Sequence, residues 1–442
     1  MVNKPEFDIV LWGGSSFVGK LVAEYLFETY GVDGELRWAI GGRDEKKLKA
    51  TREMLGTGAE GLPLFVGDAR DRPFLRSMAE TTKVVLSTVG PYALYGKELI
   101  GACATSGTDY CDLSGEITFI REMMDKYSEQ ARASGARILT CCGVDSLPSD
   151  LGVYILNAAA HRRLGKGVAH VTNEVKSFKG GFSGGTLLSL GLMRNQAAVD
   201  DKVAELFENP YSICPVNRRS GIAQPDVDAV HRSESGAWLA PFFMAFVNTR
   251  VVHATNAYLN YLYGREFTYV EGFSVSNKIV ANLISTVSRL FYWAYRIRPL
   301  RALLNTTILP KPGAGPTRKK REKGCFKFHF KARTQSDDRL ELIISGDRDP
   351  GYGASSRMIG EVAVCLAKDL AQKDQRGGFW TPASTIAELV IPRLIKNGGL
   401  QFQLISETGE NCDVRSVLSG GKHAESNDFQ KHSRGAASIN RR

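Results

Sequence analysis

The first 150 residues predict a doubly wound parallel α/β sheet, and two features carry that expectation. Short apolar strands alternate with amphipathic helices at the pitch of strand–helix–strand units. Each of the first four strands also ends in a short polar or glycine-rich loop, at the sheet edge where ligands gather in such folds. With 442 residues, 43% of them hydrophobic, the chain has material for a large core and for two domains.

The elements follow in order. Phe7 to Leu11 alternate and then run apolar, as a buried first strand does. Gly13 and Gly14 turn the chain, and Val18, Leu21, Val22 and Tyr25 then share one side of a helix. A second strand is expected at Leu36–Ile40, before "GGRDEKKLKA" opens the second helix. "LPLFVGD" reads as the third strand, "RDRPFLRSMAE" as its helix, and "KVVLSTVGPY" as a fourth strand ending in a Gly-Pro turn. A later strand begins at Arg137 and runs into "CCGVDSLPSD". Arg357 to Leu370 forms a helix with Met358, Val362, Cys365 and Leu366 on one face, and "LVIPRLIKNGGLQFQLIS" reads as a helix end, a Gly-Gly stop and a final strand.

The four strand-end loops are "GGSSFVG", "GGRD", "GDA" and "TVGPY", and together they outline a dinucleotide site. In the first, Gly13, Gly14, Ser15, Ser16, Phe17, Val18 and Gly19 would hold a pyrophosphate on backbone amides and a helix N-terminus. Gly19 lets the helix pack closely on the strand, and Ser15 and Ser16 could add hydroxyl donors. At the second strand end, where an NAD site places an acid, stand Gly41, Gly42 and Arg43, with Lys46 and Lys47 close behind. A cation there suits a 2′-phosphate, so NADPH is expected over NADH. The alternative is that Arg43 opens a solvated helix. Asp68, next to Ala69, either accepts from the adenine amino group or caps the following helix. Val89, Gly90 and Pro91 complete the cofactor-facing set.

No Ser-Tyr-x-x-x-Lys or His-Asp arrangement announces a catalytic apparatus, and the seven histidines lie outside the four loops. Tyr92 and Tyr95 follow the fourth strand; either hydroxyl could donate to a developing enolate or oxyanion, or both rings could simply pack. Asp145 and Ser146, with Ser149 and Asp150, crowd the edge of the same cleft as candidate acid–base groups, or else cap and anchor the next helix. "GGFSGGT" (180–186) offers Ser183 and Thr186 as substrate contacts, unless it is a tight turn between domains.

The formal charge is +10, and "RKKREK" at 318–323 holds +4 of it. Elsewhere acids and bases interleave, which argues against a nucleic-acid partner. Eight cysteines without a C-x-x-C suggest neither a zinc site nor a disulfide framework, so no metal is expected. The first residues lack a secretory pattern, so an intracellular protein is expected. From Phe273 to Leu304 the chain turns apolar, with Val280, Ile284, Val287, Phe291 and Ala294 on one helical face and Asn282, Ser285, Arg289 and Arg296 opposite. No run reaches the roughly 18 residues of a spanning helix. Residues 275–304 read as an interfacial helix on a membrane or lipid-droplet surface, followed by a basic loop at 311–324, or as a helix at a dimer or domain interface. "GAWLAPFFMAFV" (236–247) lines an acyl pocket or belongs to the core, and 411–442 reads as a disordered tail.

The stretches "STVGPYALYGKELIGACATSGTDYCDLSGE" and "CCGVDSLPSDLGVYIL", with the opening turn, resemble the saccharopine dehydrogenase-like oxidoreductases, a group that includes the trans-acting enoyl reductases of lipid biosynthesis. "KGGFSGGTLLS", "PFFMAFVNTRVV" and "GDRDPGYGASSRMIGEVAVCLA" extend the resemblance over residues 8 to 405. The family turn reads G-A-T-G-F-T-G where this chain has G-G-S-S-F-V-G, a departure at Ser16. The resemblance implies a Rossmann-type cofactor domain over 1–150, an inserted α+β domain over 151–345 for substrate and homodimer contacts, and a segment 346–410 returning to the first domain. It implies an NADPH-dependent oxidoreductase acting on a lipid-like enoyl or carbonyl substrate. A saccharopine reductase-type amino-acid dehydrogenase would need convergent arginines among Arg218, Arg219, Arg232 and Arg250. A non-catalytic protein on a lipid surface, with the nucleotide fold retained, is the third reading.

Overall fold

The computed structural model describes residues 5–32, 34–180, 193, 195–219, 221–307, 315–370, 376–405 and 411–418. Its first sheet contains β1 (Phe7–Trp12), β2 (Trp38–Gly42), β3 (Leu64–Val66), β4 (Thr82–Ser87), β5 (Asp109–Asp112), β6 (Arg137–Leu139) and, from far along the chain, β13 (Gly378–Trp380). All neighbours are parallel, in the order β13-β6-β5-β4-β1-β2-β3. Every residue of β1 is buried, as a strand covered on both faces requires. The strand order reverses at β1, between β2 and β4, and that reversal opens the crevice used by ligands in doubly wound sheets.

The second sheet is mixed. It comprises β7 (His170–Lys179), β8 (His231–Arg232), β9 (Trp238–Pro241), β10 (Thr268–Val275), β11 (Cys325–Arg333), β12 (Arg339–Gly346), β14 (Leu400–Ile405) and β15 (Asn411–Cys412). Only β7 and β10 pair in parallel. On β11 the alternation Phe326, Phe328, Phe330, Ala332 faces the core. The helix Leu147–Leu164 covers this face, and its Gly152 comes so close that a Cβ there would stand 2.6 Å from the Phe330 ring.

The segment 346–410, expected to return whole to the first domain, divides instead. The helix Ser355–Val364 packs on the first-domain helix Phe17–Tyr30, and β13 joins the first sheet. The final strand β14 pairs with β12 and so belongs to the second sheet. Residues 411–418, expected within a disordered tail, carry β15 and a helical turn, Val414–Leu418, whose apolar residues are buried; 419–442 lie outside the described residues. In the helix Lys278–Arg296, Ser285, on the face opposite the apolar one, points inward and donates to the Asp228 carbonyl at 3.2 Å, while Val280 and Val287 of the apolar face are exposed. All eight cysteines are free thiols.

A buried carboxylate fastens the returning segment. Glu361 accepts hydrogen bonds from Tyr25 and Tyr30, each at 2.5 Å, and from Arg393 at 3.4 Å. Burial and this carboxylate push both tyrosines well above their ordinary range. Glu361→Ala would leave these donors without an acceptor, and it is expected to lower unfolding free energy by about 2–3 kcal/mol, read by urea denaturation.

Candidate functional site

At the end of β1 the chain turns under tight steric limits. Gly13 has φ 92°, and a Cβ there would lie 2.5 Å from Val89 and 2.8 Å from the Thr88 hydroxyl. A Cβ on Gly19 would lie 2.0 Å from the Gly13 carbonyl oxygen. Ser16 is the N-cap of the helix Phe17–Tyr30, its Oγ accepting from the Gly19 amide at 2.9 Å and lying 3.2 Å from Thr88 Oγ1. Its hydroxyl is thus engaged with the helix and the neighbouring loop. The amides of Gly13 and Gly14 are also committed, both to the Gly41 carbonyl, at 2.8 and 3.0 Å. The amides of Ser15, Phe17 and Val18 have no acceptor among the described residues. Three free donors at a helix N-terminus fit an anionic phosphate group.

Arg43, just past β2, is exposed and makes no hydrogen bond or ion pair with a described residue. The helix behind it is capped by Asp44, which accepts from the Lys47 amide at 3.1 Å. Asp68 is exposed in the loop after β3 and accepts from the Arg70 amide at 2.9 Å. The cap of the next helix is Asp71, which overturns the capping alternative for Asp68. Ala69 lies half-buried beside it.

Past β4, Val89 and Pro91 are half-buried and Gly90 is exposed. Tyr92 is buried; its hydroxyl donates to the Ser87 carbonyl at 3.2 Å and accepts from the Leu113 amide at 3.3 Å. Burial raises this phenol far above its usual range. Glu116 holds the same segment by accepting the amides of Tyr92 and Ala93, at 3.0 and 2.9 Å. Tyr95 is half-buried and its hydroxyl bonds to no described residue. Asp112, fully buried at the end of β5, accepts from Tyr110 and from the Ser114 amide, both at 2.9 Å, and burial pushes it up to about 7.

Past β6, Cys141 adopts φ 62°, a left-handed conformation that strains a residue with a Cβ, and its thiol donates to the Ser114 carbonyl. Asp145 is half-buried and has no hydrogen bond to a described residue. Burial, with a smaller contribution from the nearby Asp349 carboxylate, pushes its pKa up to about 7. Ser146 is buried at the start of the helix Leu147–Leu164, without a side-chain cap bond. Ser149 and Asp150 do not join the cleft. Ser149 donates to Glu271 at 2.9 Å, while Asp150 accepts from the Thr255 hydroxyl and from the Ala383 amide. Ser183 and Thr186 lie outside the described residues.

Two groups missed from sequence close this edge. Asp349 is fully buried and accepts the Tyr352 amide at 2.9 Å; a Cβ on Gly180 would stand 2.0 Å from its Oδ1. Phe17 meets Tyr352 edge-on at 4.9 Å, and the Arg321 guanidinium lies 5.7 Å from the Phe17 ring centre. The basic run expected as a loop is helical over Arg318–Glu322 and rests on the opening turn, with Arg318 paired to Glu322 and Glu24. Nothing in the local sequence joins residues about 300 positions apart, so this contact had no signal. Among the described residues no group of three or more His, Cys, Asp or Glu could hold a metal ion.

No family model matches the chain. It is 40% identical over 403 residues to a Mycobacterium tuberculosis (strain H37Rv) protein of the trans-acting enoyl reductase group, covering 88% of this chain and 95% of that one. It is 34% identical over 410 residues to the trans-acting enoyl reductase of Mycobacterium ulcerans, covering 89% and 96%. Among solved structures it is similar to apo saccharopine dehydrogenase (L-Glu forming) from Saccharomyces cerevisiae, with TM-score 0.50, 12% identity, and coverage of 90% of this chain and 100% of that one.

The buried carboxyls make a prediction about stability. Asp112, Asp145, Asp150 and Glu271 each titrate near 7 in the fold because burial disfavours the charge. Unfolded, they release their protons near pH 4. Between those limits the native state binds more protons, so this contribution to stability declines as pH rises from about 4 to about 7. Asp145→Asn has no proton to lose at that position. Its melting temperature should therefore fall less between about pH 5 and pH 8 than that of the wild type. An identical fall in both proteins would contradict a neutral Asp145 in the fold.

Proposed function

The chain belongs to the trans-acting enoyl reductase family, and from that membership we propose that it is an NADPH-dependent oxidoreductase that reduces an enoyl or carbonyl double bond on a lipid-like substrate. The observation that carries this reading is the row of unpaired donors along one sheet edge. The amides of Ser15, Phe17 and Val18 would take the pyrophosphate, and Arg43, with no partner among the described residues, would take the 2′-phosphate. Bound there, the nicotinamide supplies the hydride. Val89, Gly90 and Pro91 line its side of the cleft, Asp68 and Ala69 the adenine side.

The proton side falls to this chain's own residues. Asp145, protonated up to about pH 7 and without a hydrogen-bond partner among the described residues, is the proposed proton donor. Tyr95 offers a hydroxyl to the developing oxyanion. Tyr92 is a positioning residue, since its hydroxyl is bound to backbone on both sides, and Ser146 sets the start of the helix beside Asp145. A lipid-like substrate is supported by a cavity of about 1000 Å³ whose lining includes Phe207, Ile222, Val227, Phe246 and Tyr292. The amino-acid alternative has less support, because its arginines are each engaged by other groups, although Arg219 and Arg250 both reach the same cavity. Arg218 is on the Ala257 carbonyl, Arg219 on Asp125, Arg250 on the Phe246 carbonyl, and Arg232 near the Trp238 ring.

Titration by nucleotide fluorescence tests the cofactor assignment. Arg43→Ala should weaken NADPH binding by about ten- to a hundredfold, the size of a lost charge-assisted bond, and leave NADH binding unchanged. Failure of wild type to bind either nucleotide at micromolar concentration would overturn the reductase reading in favour of a non-catalytic protein. With an α,β-unsaturated acyl thioester as acceptor, kcat should decline above about pH 7 as Asp145 ionises. Asp145→Asn should lower kcat by about a hundredfold or more with KM little changed. A variant retaining full kcat removes Asp145 from the proton path.

A further inference from the structure

We propose that the helix Lys278–Arg296 seats this protein on an anionic lipid bilayer surface, lying in its plane. The inference is independent of the chemistry assigned to the cleft. An ordinary surface helix turns its apolar stripe inward; this one presents it to solvent. Ile279 is 80% exposed, Leu283 61%, Val287 57%, Leu290 59% and Trp293 56%. Their spacing of four, four, three and three residues puts them on one continuous face. The inward face carries Ala281, Ser285 and Tyr295, and Ser285 and Arg289 both reach the Asp228 carbonyl. The helix is thus held from behind by polar bonds while its large apolar side chains stay uncovered. Isolated exposed leucines are ordinary, but an aligned row of five large side chains marks a docking face.

Charge selects the occupant. From Gly272 to Arg321 the sequence holds ten Lys and Arg and no Asp or Glu; the remainder of the chain has 47 of each sign, so this stretch carries the entire formal charge of +10. Lys278 stands exposed at the start of the helix. Apolar side chains entering the acyl boundary beside cations at headgroup level is the arrangement an anionic membrane surface takes up, and Trp293 is a residue suited to that boundary. A second copy of the chain would bring one acid-free helix against another, and that like-charge juxtaposition opposes a symmetric dimer pairing these helices. Among the described residues no helix is long and apolar enough to cross a membrane, consistent with an in-plane seat. The same helix walls the large cavity through Arg289, Tyr292 and Trp293. Trp293 belongs to both surfaces, so docking would bring the cavity alongside the lipid.

Co-sedimentation of the full chain with phosphatidylcholine vesicles containing about one-third phosphatidylglycerol, against pure phosphatidylcholine vesicles, tests the proposal. Wild type should bind the anionic vesicles, and the binding should weaken steeply as salt is raised. Leu283→Glu/Leu290→Glu should lower the partition coefficient by about tenfold or more, with circular dichroism and melting temperature unchanged. Ile279→Glu, at the most exposed position, gives a second reading with less risk to the fold. No binding to anionic vesicles, equal binding to both kinds, or undiminished binding by both variants would overturn the proposal. So would a wild-type dimer, seen by analytical ultracentrifugation, that Leu283→Glu/Leu290→Glu converts to monomer, since a second copy would then own the stripe.

Discussion

The contact on which the candidate site depends is the one between Gly19 and the carbonyl of Gly13. A Cβ at Gly19 would fall 2.0 Å from that oxygen, so only a glycine lets the first helix start against the first strand. This approach fixes where the amides of Ser15, Phe17 and Val18 point. It also fixes the Phe17 ring, against which Tyr352 and Arg321 arrive from the rest of the chain. Thr88 locks the third side by donating to the Gly13 carbonyl at 3.1 Å while Ser16 reaches its hydroxyl. A serine at position 16 is therefore compatible with the turn. It takes over the helix cap and ties β1 to the loop after β4, a task a glycine could not perform.

A single helix then carries this geometry into the second domain. Leu147–Leu164 begins beside Asp145 at the cleft and presents Ser149, Asp150 and Gly152 to the second sheet and its attachments. Glu271 accepts from Ser149, Asn173 and Asn248, so its buried oxygens have partners. Asp150 is satisfied in the same way by Thr255 and Ala383. These carboxyls are held near 7 by burial yet have hydrogen-bonding work within the fold. Asp145, at the cleft end of the same helix, has the raised pKa without such partners among the described residues. That contrast, rather than the shift alone, separates a group available to substrate from groups that hold domains together.

Much of the first sheet was legible because its strands are short and covered on both faces, leaving apolar runs between polar ends. The turn at 13–19, the strand at Arg137 and the helix near Met358 follow from that patterning. What was not legible has physical reasons. β13 has three residues and is a strand only because β6 offers it an edge. A serine before a helix can bind phosphate or cap the helix, and one sequence cannot distinguish the two at Ser16. Asp68 and Asp71 compete for one cap, decided by a turn geometry that neither residue announces. Asp349 reaches the cleft through a long-range contact. That Ser285 bonds the Asp228 carbonyl behind its helix depends on a distant partner, which a hydrophobic pattern does not record.

The basic character of residues 272–321 has two separate physical uses, and the split bears on how such a stretch should be read. Near its end, Arg318 is neutralised by Glu322 and Glu24, while Arg321 lies over Phe17 and donates to the Pro316 carbonyl. Those two cations are spent inside the protein, closing the edge of the cofactor turn. The helix Lys278–Arg296 differs because it contains no acid of its own and because uncovered apolar side chains run alongside. A positive run by itself marks neither lipid nor nucleotide, since the Coulomb attraction to either falls off within a Debye length. It is the coincidence of unneutralised charge with an exposed apolar row that gives a surface both reach and grip. Within this stretch the coincidence occurs along that helix and not at Arg318–Glu322, where every residue of the run is polar.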